Sequence, residues 1–212
     1  RDSLYALQQL DGGWGWWESD PSNPWLTAYV VQGMVEARRA GYDVDQAAFD
    51  RGVAFVTDAL DRPVGVEHAQ PLPADGRAYV LFVLAEAGKP DRSGAITLFD
   101  QRDASRMGVE GRAYLLMTLL AAHQAAPVPA DAARITTLVS ELMGRATLTA
   151  SEAHWEEPQL DAWRMTSNTR ATAVATMALL RADAGVFLAP NAVRYLMARR
   201  DGGMLGLSLI HI

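Results

Sequence analysis

A chain of 212 residues, half of them hydrophobic, suits one globular domain near the upper size of a single core. Its formal net charge of −6, with 21% charged residues, argues against a nucleic-acid backbone as partner. The absence of cysteine excludes disulfides, thiolate zinc sites and cysteine nucleophiles within these residues.

No apolar run approaches the ~18 residues of a membrane span, and the first residues lack the basic-then-apolar layout of a signal peptide. Residue 1 is Arg, and Ser3-Leu4-Tyr5-Ala6-Leu7 already reads as helix interior. The expectation is a cut amino terminus, with any targeting signal upstream.

The opening helix runs into Gln8-Gln9-Leu10-Asp11-Gly12-Gly13-Trp14-Gly15-Trp16-Trp17, an order that neither helix nor strand favours. Asp11-Gly12-Gly13 predicts a helix end, because glycine takes the positive φ of a carboxy-terminal cap without strain and aspartate bonds readily in a turn. Trp14, Trp16 and Trp17 are expected to pin this turn by aromatic burial, their indole N–H groups bonding loop carbonyls. Stacking of a sugar or a cation on the rings is the functional alternative. A degenerate copy favours architecture: Tyr195-Leu196-Met197-Ala198-Arg199-Arg200 again runs into Asp201-Gly202-Gly203 and an apolar Met204.

Beyond the turn, Leu26, Tyr29, Val30, Val31 and Met34 recur at helical spacing, and Ala54, Phe55 and Leu60 continue the pattern after a loop. Further helices are predicted at about 75–88, 94–102, 110–124, 130–146, 167–183 and 190–200, separated by Pro, Gly and Asp. Four helices open alike, with Leu26-Thr27-Ala28-Tyr29, Arg77-Ala78-Tyr79, Arg112-Ala113-Tyr114 and, most weakly, Arg170-Ala171-Thr172. Between them lie one-sided helices, such as the one placing Phe49, Val53 and Val56 beside Asp50, Arg51 and Asp58. The alternation predicts an all-α fold of buried inner and amphipathic outer helices. An α/α toroid, incomplete at both ends, satisfies it; a superhelical solenoid of helix pairs is the alternative. Irregular repeat spacing favours the toroid, and Ala28, Ala78 and Ala113 let inner helices approach closely.

Three separated blocks resemble the thioester domain of alpha-2-macroglobulins, particularly the bacterial ones. They are Leu7 to Trp17 with Asn23-Pro24-Trp25-Leu26-Thr27-Ala28-Tyr29-Val30 and Glu36-Ala37-Arg38, then His154-Trp155-Glu156-Glu157-Pro158 with Thr169-Arg170-Ala171-Thr172-Ala173, then Asn191 to Leu196 running into Asp201-Gly202-Gly203. Residues 1–204 are accordingly expected to be a partial toroid of that type. The resemblance implies a protease-trapping inhibitor rather than an enzyme. It also implies target proteases and macroglobulin domains of the same chain as partners, and a secreted or periplasmic, lipid-tethered parent protein. A peptidoglycan-synthesising penicillin-binding protein is a further implied neighbour.

In that family a buried Cys-x-Glu-Gln thioester acylates the attacking protease, and this chain contains neither the cysteine nor the motif. In complement-type relatives a histidine just before the counterpart of the Thr27-Ala28-Tyr29 helix takes over the acyl group and redirects it to hydroxyls. The loop Glu18-Ser19-Asp20-Pro21-Ser22-Asn23-Pro24 has no histidine, so a thioester in the parent is expected to react directly with amines.

His154 reads as a loop histidine, with Trp155 beside it as a packing anchor and Glu156 and Glu157 solvated. Trp25 is a further packing anchor. His68 and His123 are isolated, and no His/Asp/Glu spacing predicts a metal site. No cofactor is expected. An enzyme on the same scaffold is the alternative. A terpene cyclase would need an Asp-rich motif that Asp43-Val44-Asp45-Gln46 only approaches, a prenyltransferase would need cysteine, and a glycoside hydrolase would need facing carboxylates, for which Glu156, Glu157 and Asp161 are the one candidate cluster. Residues 205–212 match nothing in the repeat and resemble translated adapter DNA, a non-native tail.

Overall fold

The computed structural model describes residues 2–17, 19–61, 72–161, 164–201 and 204–205. The chain divides into two compact units, Arg1–Asp91 and Arg92–Ile212. His68, Gly202, Gly203 and the tail from 206 lie outside the described residues, so the second Asp-Gly-Gly turn and the tail are not seen.

Unit 1 contains α1 (Asp2–Ala6), α2 (Pro24–Arg39), α3 (Gln46–Asp61) and α4 (Ala74–Glu86). Helix α2 starts where the sequence allows it: Pro24 needs no donor in the first turn, and the Asn23 side chain accepts a hydrogen bond from the Leu26 N–H. Asp45 does the same for α3, its carboxylate accepting from the Ala48 N–H at 2.7 Å. Helices α2 and α4 end alike, at Ala40-Gly41 and Ala87-Gly88, with both glycines at φ near +80°. Return bonds from Tyr42 N–H to Ala37 O and from Lys89 N–H to Leu84 O close these ends.

Unit 2 contains α5 (Arg92–Gln101), α6 (Val109–Ala125) and α7 (Pro129–Gly144), then a hairpin of β1 (Thr147–Leu148) and β2 (Ala153–His154). After it come α8 (Asn168–Arg181), a 3-10 turn at Val186–Leu188, α9 (Ala189–Ala198), and the short pair β3 (Arg200–Asp201) and β4 (Met204–Leu205).

Among the described residues the fold is all-α apart from these two-residue strands, and the layering follows the sequence pattern. Helix α4 is buried on every side from Ala78 to Leu84, and α6 from Val109 to Leu119. In unit 2, α6 packs against α5, α7 and α8. By contrast α5 buries only Ala95 and Leu98, and α7 only Asp131, Leu138 and Leu142, as outer helices should. Leu115, Leu116 and Leu119 are fully buried, and each such side chain is worth about 1.5–3 kcal/mol of transfer free energy. The alanines that open the four repeats, Ala28, Ala78, Ala113 and Ala171, all have zero exposure, so a larger side chain there would have to displace a neighbouring helix. Helix α2 differs from α4 and α6 in keeping an open side, with Tyr29 and Gly33 exposed.

Candidate functional site

In unit 1 the turn after α1 is built by local polar bonds and then closed by one tryptophan. The Asp11 carboxylate accepts from the Gly13 N–H at 3.0 Å and from the Ser22 hydroxyl at 2.7 Å. Gly12 sits at φ +90°, and a Cβ there would lie 2.7 Å from the Arg51 carbonyl oxygen, so only glycine fits. Gln8 ties the turn to α3, its amide donating to Gly12 O and Ala48 O while its oxygen accepts from Arg51 at 2.6 Å.

Trp14 is buried, and its indole N–H donates to the Leu4 carbonyl at 2.9 Å. Its backbone N–H donates to Thr27 Oγ1 on α2 at 2.9 Å, and Thr27 Oγ1 donates back to the Trp14 carbonyl at 3.4 Å. Trp16 stacks on Trp25 with centroids 6.2 Å apart, and Trp25 continues to Tyr29 at 5.7 Å and to Tyr79 at 5.6 Å. Trp17 departs from the expected burial at 75% exposed: Trp16 takes the inward position, and the tight turn closed by the Asp20 N–H on the Trp17 carbonyl leaves the neighbouring indole outside.

Unit 2 repeats the clamp with a different approach. Trp155 has zero exposure, its indole N–H donates to Leu142 O at 2.7 Å, and its backbone N–H donates to Thr172 Oγ1 on α8 at 3.0 Å. Thr172 also donates to the Asn168 carbonyl at 2.7 Å. Here the Trp is delivered by the β1–β2 hairpin rather than by a glycine turn. Sequence reasoning missed the threonines; the available signal was a threonine beside the repeat alanine in each helix, Thr27 beside Ala28 and Thr172 beside Ala171.

His154 is not in a loop. It lies on β2 with its ring parallel to Tyr195 of α9 at 4.5 Å, its Nε2 3.2 Å from the Glu156 carboxylate, and the Arg199 guanidinium covers the Tyr195 ring at 3.4 Å. Glu156 is exposed, as expected, but Glu157 is not simply solvated. Its carboxylate accepts from the Val109 N–H at 3.2 Å and the Glu110 N–H at 2.5 Å, supplying the cap that Gly108 lacks at the start of α6. Asp161 pairs with Arg164 at 2.8 Å. The three carboxylates Glu156, Glu157 and Asp161 are therefore each engaged with a different partner.

Behind this cap lies an ionic cluster that the sequence did not announce. Arg112, almost fully buried, donates to Glu141 at 2.9 Å and to Asp103 at 2.6 Å, and Arg102 also binds Glu141. Burial pushes the Glu141 carboxyl up, but the bonds from Arg102 and Arg112 outweigh it and hold it below the ordinary carboxylate value. Arg170 lies 3.4 Å from Glu110 and donates to the Tyr114 hydroxyl at 3.1 Å. Burial pushes the Tyr114 hydroxyl up to about 12 despite the opposing pull of Arg170. Such buried charges rigidify the helix ends around them. His123 accepts from the Val128 N–H at 3.3 Å, a loop-closing role. Among the described residues no three His, Cys, Asp or Glu converge as metal ligands, and no helix is long and apolar enough to cross a membrane.

No protein-family model matches the chain. An alpha-2-macroglobulin of Thermotoga maritima is 40% identical over 88 residues, which are 38% of this chain and 6% of that protein. A drimenyl diphosphate synthase of Streptomyces showdoensis is 33% identical over 103 residues, 43% of this chain and 19% of that one. The structure of trypsin-activated alpha-2-macroglobulin from Escherichia coli matches with a TM-score of 0.69 at 20% identity, over 97% of this chain and 13% of that one, a likeness of fold. The chain thus spans a small part of the proteins it matches. By sequence and by fold, it resembles one limited region of the bacterial alpha-2-macroglobulins.

Proposed function

We propose that this chain is a piece of the thioester-type α/α-toroid domain, over residues 1–204, of a bacterial alpha-2-macroglobulin-like inhibitor that traps proteases. The observation that carries the reading is the 40% identity to the Thermotoga maritima protein, with a fold likeness covering almost the whole chain. The protease enters because trypsin activates the Escherichia coli relative, as its structure is described. Asp11, Gly12, Gly13, Trp14, Trp25 and Trp155 serve as architecture in this reading. Asp11 accepts from the Gly13 N–H and the Ser22 hydroxyl, and the Trp14 and Trp155 indoles donate to backbone carbonyls. His154 stacks on Tyr195 and meets the Glu156 carboxylate at its Nε2, which also suits a packing role.

The parent protein acts outside the cell membrane, in the periplasm or secreted, and depends on macroglobulin domains of the same polypeptide. Any thioester cysteine is supplied from outside these residues, since the chain has none. The test is to recover the full gene by long-read sequencing and to express its product. Incubation with trypsin should block cleavage of a large protein substrate while sparing a small peptide substrate. If a thioester is present, labelled methylamine should be incorporated at least tenfold faster than glycerol at equal concentration. Unchanged proteolysis of the large substrate overturns the inhibitory reading.

The match to a drimenyl diphosphate synthase favours a second reading, a terpene cyclase on a related toroid. Its acid would have to come from Asp43 or Asp45, and Asp45 is already occupied in capping α3. Incubation of the full-length product with prenyl diphosphates and magnesium decides it. A cyclised product would establish the enzyme.

A further inference from the structure

Unit 1 holds a cavity of about 510 Å3 that belongs to neither clamp. Its floor is the open side of α2, where Gly33 and Met34 lie, and its walls come from α1 and from the segment after α2. Three tyrosines line it, Tyr5, Tyr29 and Tyr42, and Asp43 lines it beside them. The remaining lining is apolar, and among the described residues no lysine or arginine contributes. Two of the rings are held from behind. The Tyr5 hydroxyl accepts from the Asp45 N–H at 3.1 Å, tying α1 to the 42–45 segment, and Tyr29 is stacked on Trp25 at an interplanar angle of 8°.

Several aromatic rings, one acidic residue with no cation among the described lining, and an apolar floor match one ligand chemistry. Aromatic faces and a carboxylate attract an organic cation, whereas an anion would meet Asp43 and a small hydrated cation would leave the aliphatic surface unfilled. The volume falls within the range of small-molecule sites. We propose that this cavity binds a small-molecule ammonium ion carried on an apolar body, with the charged head beside Asp43 and the tyrosines and the body along the Gly33 side of α2. The site is independent of the inhibitory function proposed above.

The test is calorimetric titration of the chain with decyltrimethylammonium below its micelle concentration, with helical circular dichroism followed in parallel. Decanol, decyl sulfate and tetramethylammonium supply the neutral, anionic and headgroup-only comparisons. Saturable one-to-one binding is expected, at least tenfold tighter than for any of the three. Asp43→Asn should weaken it five- to tenfold. Gly33→Leu should abolish it by filling the floor. That variant should keep its fold, because a Cβ at Gly33 meets no atom within 4 Å and leucine favours a helix over glycine. Phe187→Ala, at an exposed apolar position of unit 2, should change nothing. Equal affinity for the cationic, neutral and anionic probes would reduce the cavity to a greasy groove and overturn the proposal. So would binding that survives Gly33→Leu, an absence of saturable binding, or heat that tracks the loss of helix.

Discussion

The two units secure an inner helix with the same pair of residues and reach it by opposite routes. In unit 1, Asp11-Gly12-Gly13 turns the chain sharply and Trp14 drops onto Thr27 of α2; in unit 2, a hairpin with no glycine carries Trp155 onto Thr172 of α8. Each indole N–H is satisfied by a carbonyl at or near a helix end, Leu4 in one unit and Leu142 in the other. The glycine turn is therefore only one way of delivering the tryptophan. What the two units share is a buried indole over a helix start, with the tryptophan backbone N–H answered by a threonine hydroxyl. The repeated device is the Trp–Thr pair.

The largest test of that equivalence is to remove the indoles. Trp14→Ala and Trp155→Ala should each cost about 3–5 kcal/mol, the range for a buried large aromatic, in urea denaturation followed by circular dichroism. Near-equal losses support one device used twice. A loss below about 1 kcal/mol for Trp14→Ala, beside a full loss for Trp155→Ala, would leave the glycine turn and its Asp11 bonds as the element that holds unit 1.

A second contrast lies in the tyrosines that open the two inner helices alike. Tyr79 donates its hydroxyl hydrogen to the Gln32 side chain at 2.6 Å, while Tyr114 accepts from the Arg170 guanidinium and titrates at about 12 because burial disfavours the phenolate. The folded state therefore holds the Tyr114 proton more tightly than the unfolded chain, whose tyrosine titrates near 10. That contribution to stability is whole below about pH 10 and is lost as the pH rises toward 12, by up to roughly 3 kcal/mol. Tyr114→Phe should flatten the fall in stability over that interval, read from urea midpoints at pH 9, 10 and 11. Parallel curves for the two proteins would show that Tyr114 ionises as freely folded as unfolded.

The helices were legible because each carries its own period. Val80 to Leu84 and Leu115 to Leu119 read as buried inner helices, and the predicted starts and ends of α4 to α9 fall within a few residues of those observed. Ala28, Ala78 and Ala113 announced close packing by being small at matching places. What stayed hidden depends on partners far apart in the chain. Nothing beside Glu157 shows that it caps a helix beginning 48 residues earlier at Val109, and nothing beside Thr172 shows that it answers the N–H of Trp155. The alignment of Ala28 with Ala171 also sets the two clamps two residues out of register, since Thr27 precedes the first alanine and Thr172 follows the second. Trp17 misled for the opposite reason: residue type suggested burial, but the turn after Trp16 decided which ring faces inward.

The finest test removes only the hydroxyls. Thr27→Val and Thr172→Val keep nearly the same shape and leave the backbone N–H of Trp14 or Trp155 buried without its acceptor. An unsatisfied buried donor costs about 1–3 kcal/mol, so each variant should lose that much in the same denaturation measurement, with serine at either position restoring most of it. Thr172 also donates to the Asn168 carbonyl, and a bond of that kind nets about 1 kcal/mol. The two losses should therefore agree to within about 1 kcal/mol. If valine is tolerated at 27 and not at 172, the backbone bond from the Asn23 N–H to the Trp14 carbonyl, which is 2.8 Å long, is sufficient to seat Trp14, and the glycine turn has made the threonine redundant.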